Sequence, residues 1–327
     1  MVSADWQQLQ EQFERLSALE PDARATELER LAHQQPALAN ELASLLEQDE
    51  QARHWFNDLE DDLDRHRAAE LDAAWAPGRQ IGPYRLERLL GSGGMGAVFL
   101  ARKADGELRR PVALKLIPVD SLPEDGSQRL QHERDVLSSL AHPNIAHLND
   151  AGVDSEGQPW IAMEFVDGPR IDRWVDRESP GLDARLDRFL ELCEAVAAAH
   201  RKLIVHGDIK PSNILLDQNG RIRLLDFGIA RLLQDQCRSD VGVRYLSPSH
   251  AAPELQCGAP ASVASDIFAL GRVLDQLLSG LSERPEEIDS MISRACDPDP
   301  EQRYSSVTRL LDDIDDLRAG RAVASHS

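Results

Sequence analysis

His206-Gly207-Asp208-Ile209-Lys210-Pro211-Ser212-Asn213, closed downstream by Asp226-Phe227-Gly228, is the stretch on which the reading of this 327-residue chain turns. One carboxylate there can orient a hydroxyl nucleophile and the lysine can meet a transferring phosphoryl group. An Asn with a second Asp can hold Mg2+, and these parts together make a phosphoryl-transfer set. The lysine carries extra weight because only four of the 36 basic residues are lysines, Lys103, Lys115, Lys202 and Lys210. A chain that otherwise chooses Arg keeps Lys where a compact ammonium is required.

Upstream, Lys115 stands in the β-type run Val112-Ala113-Leu114-Lys115, where an ammonium can reach between two phosphates and pair with a carboxylate. Glu133, on the helix expected next, is the candidate carboxylate. The competing reading makes it one more solvated acid of Gln131-His132-Glu133-Arg134-Asp135. Farther upstream, Gly91-Ser92-Gly93-Gly94-Met95-Gly96 lies between two strand-like runs, and its glycines let the backbone approach phosphates and offer N–H groups. The spacing alone is weak. Dinucleotide-binding folds share it, but there it opens a helix, whereas Ala97-Val98-Phe99-Leu100 continues as a strand. A plain hairpin turn is the alternative.

The surrounding pattern divides the chain. Trp6 to about Ala73 lacks glycine, is strongly acidic, and repeats Leu9, Phe13, Leu16, then Leu28, Leu31, then Leu42, Leu45, Leu46 at helical spacing. Breaks fall at Pro21-Asp22 and before Pro36, and Ala76-Pro77-Gly78 reads as a linker. Strand-like runs follow at Tyr84 to Leu90, Ala97 to Ala101 and Pro111 to Ile117, then a helix-type stretch from Ser127 to Leu140 and runs around Ile145 to Val153 and Pro159 to Val166. Leu186, Phe189, Leu190, Cys193, Val196 and Ala197 mark a long amphipathic helix, and Ile267 to Leu278 another that is apolar nearly all round. Between them, Ile214 to Leu216 and Ile222 to Leu225 flank Asn219-Gly220, a strong hairpin signal. The expected fold is α+β: a small β-rich lobe, then a larger α-helical lobe, preceded by a helical segment. The expected domains are residues 1–78 (helical segment and linker), 79–319 and a tail at 320–327.

From about Ile81 to Leu317 the motif order resembles a eukaryotic-type (Hanks-type) protein kinase domain of the bacterial Ser/Thr kind, with its bilobal fold. The resemblance implies ATP as phosphoryl donor, Mg2+ with Mn2+ as an alternative, and protein acceptors in bacterial signalling. It makes Asp208 the catalytic base, Lys210 the phosphate-contacting lysine, and Asn213 and Asp226 the metal ligands, with Glu133 paired to Lys115. Gly91 to Gly96 would cover the phosphates. Met163 would stand behind the adenine pocket, Glu164-Phe165-Val166 would form the hinge, and Val98, Ala113 and Leu215 would sandwich the base. Ala252-Pro253-Glu254 would close the activation segment as a platform for the peptide acceptor. Asp266 and Arg303, the latter paired with a buried Glu254, would be structural, and His206 would pack against Phe227, Leu137 and Leu148 rather than act as a base.

Many relatives carry Arg where this chain has Gly207, and that Arg gathers a phosphate on the activation segment. Activity is therefore expected not to depend strictly on phosphorylation there, although Ser239, Tyr245, Ser247 and Ser249 remain modifiable. Ser247 can support Asp208 by a hydroxyl bond or be a solvated loop serine. Gly280 to Ile288 is short for the family, and Cys237 is expected to be an inert surface thiol. Lys210, two residues after the base, is the Ser/Thr-type arrangement and disfavours tyrosine specificity. Small-molecule phosphotransferases share His-Gly-Asp but usually lack both the Phe-Gly after the metal-binding Asp and the Ala-Pro-Glu platform. A pseudokinase scaffold would normally have lost a metal ligand or the strand lysine, and both are present.

The formal charge of −21 argues against a nucleic-acid binder, since phosphate backbones would be repelled. Cys193, Cys237, Cys257 and Cys296 show no paired C-x-x-C spacing, so neither a zinc site nor a disulfide framework is signalled. The N-terminus has no basic start leading into an apolar stretch, and no run of 18 apolar residues occurs. A soluble, cytoplasmic protein without membrane contact is expected. Residues 1–78 would be a docking or regulatory module for a partner protein, through which a stimulus arrives.

Overall fold

The computed structural model describes residues 30, 31, 38, 42, 77–93, 96–105, 110–117, 140–227, 250–281 and 284–321. The chain divides into two compact units, Met1–Glu70 and Leu71–Ser327. In the first, Arg30, Leu31, Leu38 and Leu42 are helical, with Leu31 and Leu42 buried. The rest of the expected helices there lie outside the described residues.

The second unit begins with a sheet formed by β1 (Gln80–Ile81), β2 (Tyr84–Gly93), β3 (Gly96–Lys103), β4 (Val112–Leu116), β5 (Leu148–Val153) and β6 (Pro159–Glu164). Its order is β1-β2-β3-β4-β6-β5, antiparallel throughout. Because side chains alternate across a strand, the register sorts them onto two faces. Tyr84, Leu86, Phe99, Leu114, Leu116 and Trp160 form one apolar cluster, with Tyr84 meeting Trp160 edge-on at 5.4 Å between ring centroids. Val98, Ala113, Ile161 and Met163 cluster on the other. Lys115 lies opposite Val98 and Ile161 in the ladders, so it shares that second face. Register shifts in β2 between Leu86 and Arg88 and between Leu89 and Gly91 mark bulges, which bend and twist this hairpin.

The helical part contains α1 (Ile171–Glu178) and α2 (Leu182–His200), the hairpin β7 (Ile214–Leu216) and β8 (Ile222–Leu224), then α3 (Pro253–Gln256), α4 (Val263–Leu278), α5 (Glu286–Ala295) and α6 (Val307–Arg318). The apolar stripe of α2, with Phe189, Leu192, Cys193 and Val196 wholly buried, packs in one core with Ile267, Leu270, Val273 and Leu274 of α4. A Ser262–Ser265 capping box starts α4. The β7–β8 turn is longer than Asn219-Gly220 alone predicts. Asp217 accepts hydrogen bonds from the N–H groups of Asn219 and Arg221, which stabilises a loop over 217–221 with Gly220 at a left-handed φ of 72°. Ile145 is an isolated bridge to Leu224 rather than strand, and the run predicted to Val166 ends at Glu164.

Candidate active site

Residues 206–213 leave α2 through a short irregular path and close in a 3-10 turn at Pro211–Asn213. Proline suits the first position of that turn because it needs no N–H donor there. The path is fixed from below by Asp266, which is 1% exposed in the first turn of α4. Its carboxylate accepts the N–H of His206 at 2.8 Å and of Gly207 at 2.8 Å, and contacts His200 Nε2 at 2.8 Å. A buried carboxylate is tolerated only when bonded in this way. Gly207 adopts φ 78°, a left-handed conformation that costs glycine nothing and an L-residue about 1–2 kcal/mol.

On this support, Asp208 Oδ2 receives Lys210 Nζ at 3.1 Å and Asn213 Nδ2 at 3.2 Å. Asn213 Nδ2 also donates to the Asp208 carbonyl at 2.8 Å. Among the described residues these contacts fall on Oδ2, so Oδ1 can accept from a hydroxyl. Asn213, bound through its nitrogen, has its amide oxygen to offer a cation. His206 is 1% exposed. Its Nδ1 accepts the Asp208 N–H at 3.2 Å, which leaves Nε2–H to donate to the Leu225 carbonyl at 2.8 Å. The ring also packs on Phe227 at 4.6 Å between centroids. The Leu225 N–H donates to the Asn213 carbonyl at 2.8 Å. Asp208 and the neighbour of Asp226 are therefore joined through one buried imidazole.

Asp226 itself has φ 60°, a strained value for a non-glycine residue. Its Oδ2 accepts from Lys115 Nζ at 2.7 Å, and Lys115 is 3% exposed. Glu133, the expected partner of Lys115, lies outside the described residues, as do Leu137, Gly228, Cys237, Ser239, Tyr245, Ser247 and Ser249. In the glycine stretch, Gly91 pairs with Val98, Ser92 with Ala97 and Gly93 with Gly96, so it is a hairpin continuing the sheet and not the start of a helix. Gly94 and Met95 at its tip are outside the described residues.

Met163 and Val166 are buried and flank Glu164 at the exit from β6. Glu164 exchanges backbone and side-chain contacts with His147 and lies 3.4 Å from Arg223 of β8. Just beyond, Gly168 crosses β7 so closely that a Cβ would stand 1.6 Å from the Leu216 carbonyl oxygen. Leu216 N–H donates to the Pro169 carbonyl, and Arg170 bridges to Leu215. This crossing brings half-buried Leu215 beside the segment that carries Glu164 and Val166, while Val98 and Ala113 stand on the sheet face. Asn213 and Asp226 offer oxygen donors, the set Mg2+ uses when phosphate oxygens and water complete its shell.

Away from the chemistry, Arg303 forks onto Glu254 with bonds of 2.7 and 2.9 Å. The expected buried member was Glu254. Instead the Arg303 side chain is fully buried and Glu254 keeps 19% exposure. The guanidinium is the end that needs enclosure, because it also donates to the carbonyls of Asp297, Ala264 and Pro298 and lies 4.9 Å from the Phe268 ring. The sequence reading missed His200 and His250. No spacing signals His200, whereas a histidine two residues before Ala252-Pro253-Glu254 was a visible clue.

Comparison with known proteins identifies the fold and the family. The family model described as protein kinase domain matches residues 84–290. Serine/threonine-protein kinase PknJ of Mycobacterium tuberculosis is 39% identical over 219 residues, covering 65% of this chain and 36% of that protein. Serine/threonine-protein kinase PrkC of Bacillus subtilis is 32% identical over 267 residues, covering 72% and 41%. The crystal structure of the M. tuberculosis PknI kinase domain aligns with a TM-score of 0.59 and 28% identity, covering 75% of this chain and 99% of that one. The chain belongs to the protein kinase family, and its kinase domain is of the bacterial Hanks type. It spans well under half the length of these curated relatives.

Proposed function

We propose that this chain is a serine/threonine protein kinase that transfers the γ-phosphoryl group of ATP to Ser or Thr hydroxyls of proteins, itself included. The observation that carries this reading is the asymmetric use of Asp208, whose Oδ2 is held by Lys210 and Asn213 while Oδ1 can accept an incoming hydroxyl proton. Lys210 stands where it can meet the transferring group beside a short Ser or Thr side chain. Lys115, held on the sheet face, orients the nucleotide phosphates, and the Gly91 to Gly96 hairpin covers them. Val98, Ala113 and Leu215 enclose the base, with Met163 behind it and the backbone of Glu164 and Val166 at its edge. Asn213 and Asp226 hold Mg2+, which when bound neutralises phosphate charge. The relatives' names as serine/threonine kinases support the acceptor class.

We extend the proposal to a cytoplasmic enzyme whose acidic residues 1–78 dock a regulatory protein. Deleting them should then alter basal activity or a partner association. Deletion without either effect contradicts that role. For the enzyme itself, purified protein incubated with γ-labelled ATP and Mg2+, alone and with dephosphorylated casein, should place label on Ser or Thr. Label confined to tyrosine, or none despite ATP binding, contradicts the reading.

A further inference from the structure

The six-stranded sheet is open in its ladder order, with β1 at one edge and β5 at the other. Its two edges nevertheless meet. Arg79, the residue before β1, reaches Glu156 in the β5–β6 turn at 2.6 Å. Gly82, in the β1–β2 turn, lies against the indole of Trp160 on β6, and a Cβ there would stand 2.8 Å from Nε1. Trp160 pairs with Gly152 of β5, whose added Cβ would stand 2.9 Å from Cζ2 of the same ring. The indole therefore lies over the edge strand and fills the gap between two glycines, and Trp160 is 5% exposed. Among the described residues its Nε1 has no acceptor. A buried donor left unpaired is a cost, so shape and not a hydrogen bond holds the ring.

Closing a sheet across its edges fixes its curl. The ion pair adds little to that closure, because Arg79 and Glu156 are 34% and 70% exposed. The wedge of Trp160 between Gly82 and Gly152 carries it. From this seam two routes run to the phosphate-binding parts. On one lip Tyr84 meets the ring edge-on at 5.4 Å, and Tyr84 opens β2, the strand that ends in Gly91 and Gly93 of the glycine hairpin. On the other, Trp160 is followed in β6 by Ile161, which stands opposite Lys115. The ring thus joins the strand that carries the hairpin to the strand that flanks the lysine.

We infer that Trp160 is a positioning residue for the nucleotide: by closing the seam between Gly82 and Gly152 it sets where the glycine hairpin stands relative to Lys115. The inference rests on the reading of those two parts as the ATP phosphate site. Loosening or overfilling the seam changes the curl of the sheet and so weakens ATP binding. The acceptor side is left alone, because the catalytic loop is held from α4 by Asp266.

The test measures, on the full chain, the dissociation constant of Mg2+-ATP and the KM for dephosphorylated casein at saturating ATP. Gly152→Ala sets a methyl against the ring at a backbone that is not left-handed, and Trp160→Phe withdraws Nε1 from Gly82. Each should weaken ATP binding by about 2- to 30-fold with the casein KM unchanged. In the Gly152→Ala/Trp160→Phe double variant the smaller ring makes room for the methyl, so ATP should bind better than to Gly152→Ala alone. Gly157→Ala, at φ 85° but with open space where its Cβ would stand, controls for backbone strain and should bind ATP as wild type does. Additive losses, an equal rise in the casein KM, or a Gly157→Ala as weak as Gly152→Ala overturn the inference. So does wild-type ATP binding by Trp160→Phe, which decides alone if Gly152→Ala fails to fold. Hydrogen exchange on the same proteins separates the inference from the kinase reading. If wild type binds no ATP, that reading fails, and the seam is judged by exchange alone. Faster exchange over residues 84–93 in Trp160→Phe, with residues 182–200 unchanged, supports the ring's hold on β2, and unchanged exchange over 84–93 overturns it.

Discussion

Lys115–Asp226 and Arg303–Glu254 both join a solvent-shielded basic side chain to a carboxylate at 2.7 Å, but they are finished differently. Arg303 spends its donors on Glu254 and on the carbonyls of Asp297, Ala264 and Pro298. Among the described residues Lys115 makes one bond, and its partner Asp226 sits in a strained left-handed conformation. A saturated pair holds structure. Backbone strain of this kind collects at ligand and active sites. The catalytic loop repeats the division, with Asp266 holding His200, His206 and Gly207 below and Asp208, among the described residues, engaged through Oδ2 above.

Each pair can be disrupted by substitution at its basic residue. Lys115→Arg should abolish most phosphoryl transfer while leaving the urea midpoint close to wild type, because a fork cannot reproduce a point charge in that space. Retained activity would show that Lys115 acts only as a counter-ion. Arg303→Ala should do the reverse. It leaves Glu254 without its partner and strands several carbonyls, and we expect a loss of about 3–5 kcal/mol in urea unfolding, with the remaining folded fraction still binding ATP. Gly168→Ala should destabilise as well, since the added carbon meets the Leu216 carbonyl and must push the hinge exit off β7. A raised KM for ATP would accompany that shift.

The smallest effect concerns acid. Partial burial opposes ionisation of Glu254, but the bonds and charge of Arg303 outweigh it and hold the carboxyl below its ordinary value of 4.5. A lowered folded-state value means that the pair's contribution is fully present above pH 4.5 and is lost as pH falls through the lower value. Glu254→Gln should flatten that part of the stability profile between neutral and acid pH. An unchanged profile would show that the pair does not couple to folding.

Much of this was legible in the residues. The scarcity of lysine pointed to Lys115 and Lys210, and the glycine stretch was separable from a dinucleotide loop because a strand follows it. Apolar periodicity gave α2 and α4. What stayed hidden depends on distant parts of the chain. Nothing near Asp266 in sequence says that it will meet His206 and Gly207, 60 and 59 positions away. The bridging role of His206 needs the Leu225 carbonyl, and the choice of Arg303 as the enclosed member needs carbonyls from other turns. Asn219-Gly220 gave a hairpin but not its loop length, because the side chain of Asp217 competes for the turn's N–H groups.

If Asp208 serves chemistry and not the fold, as proposed, Asp208→Asn separates the two when labelling rate and urea midpoint are measured on one preparation. A positioned base contributes about 10² to 10⁴ in rate, so Ser and Thr labelling should fall by that factor with the midpoint unchanged. Labelling that persists, or a midpoint that collapses with it, would contradict the assignment.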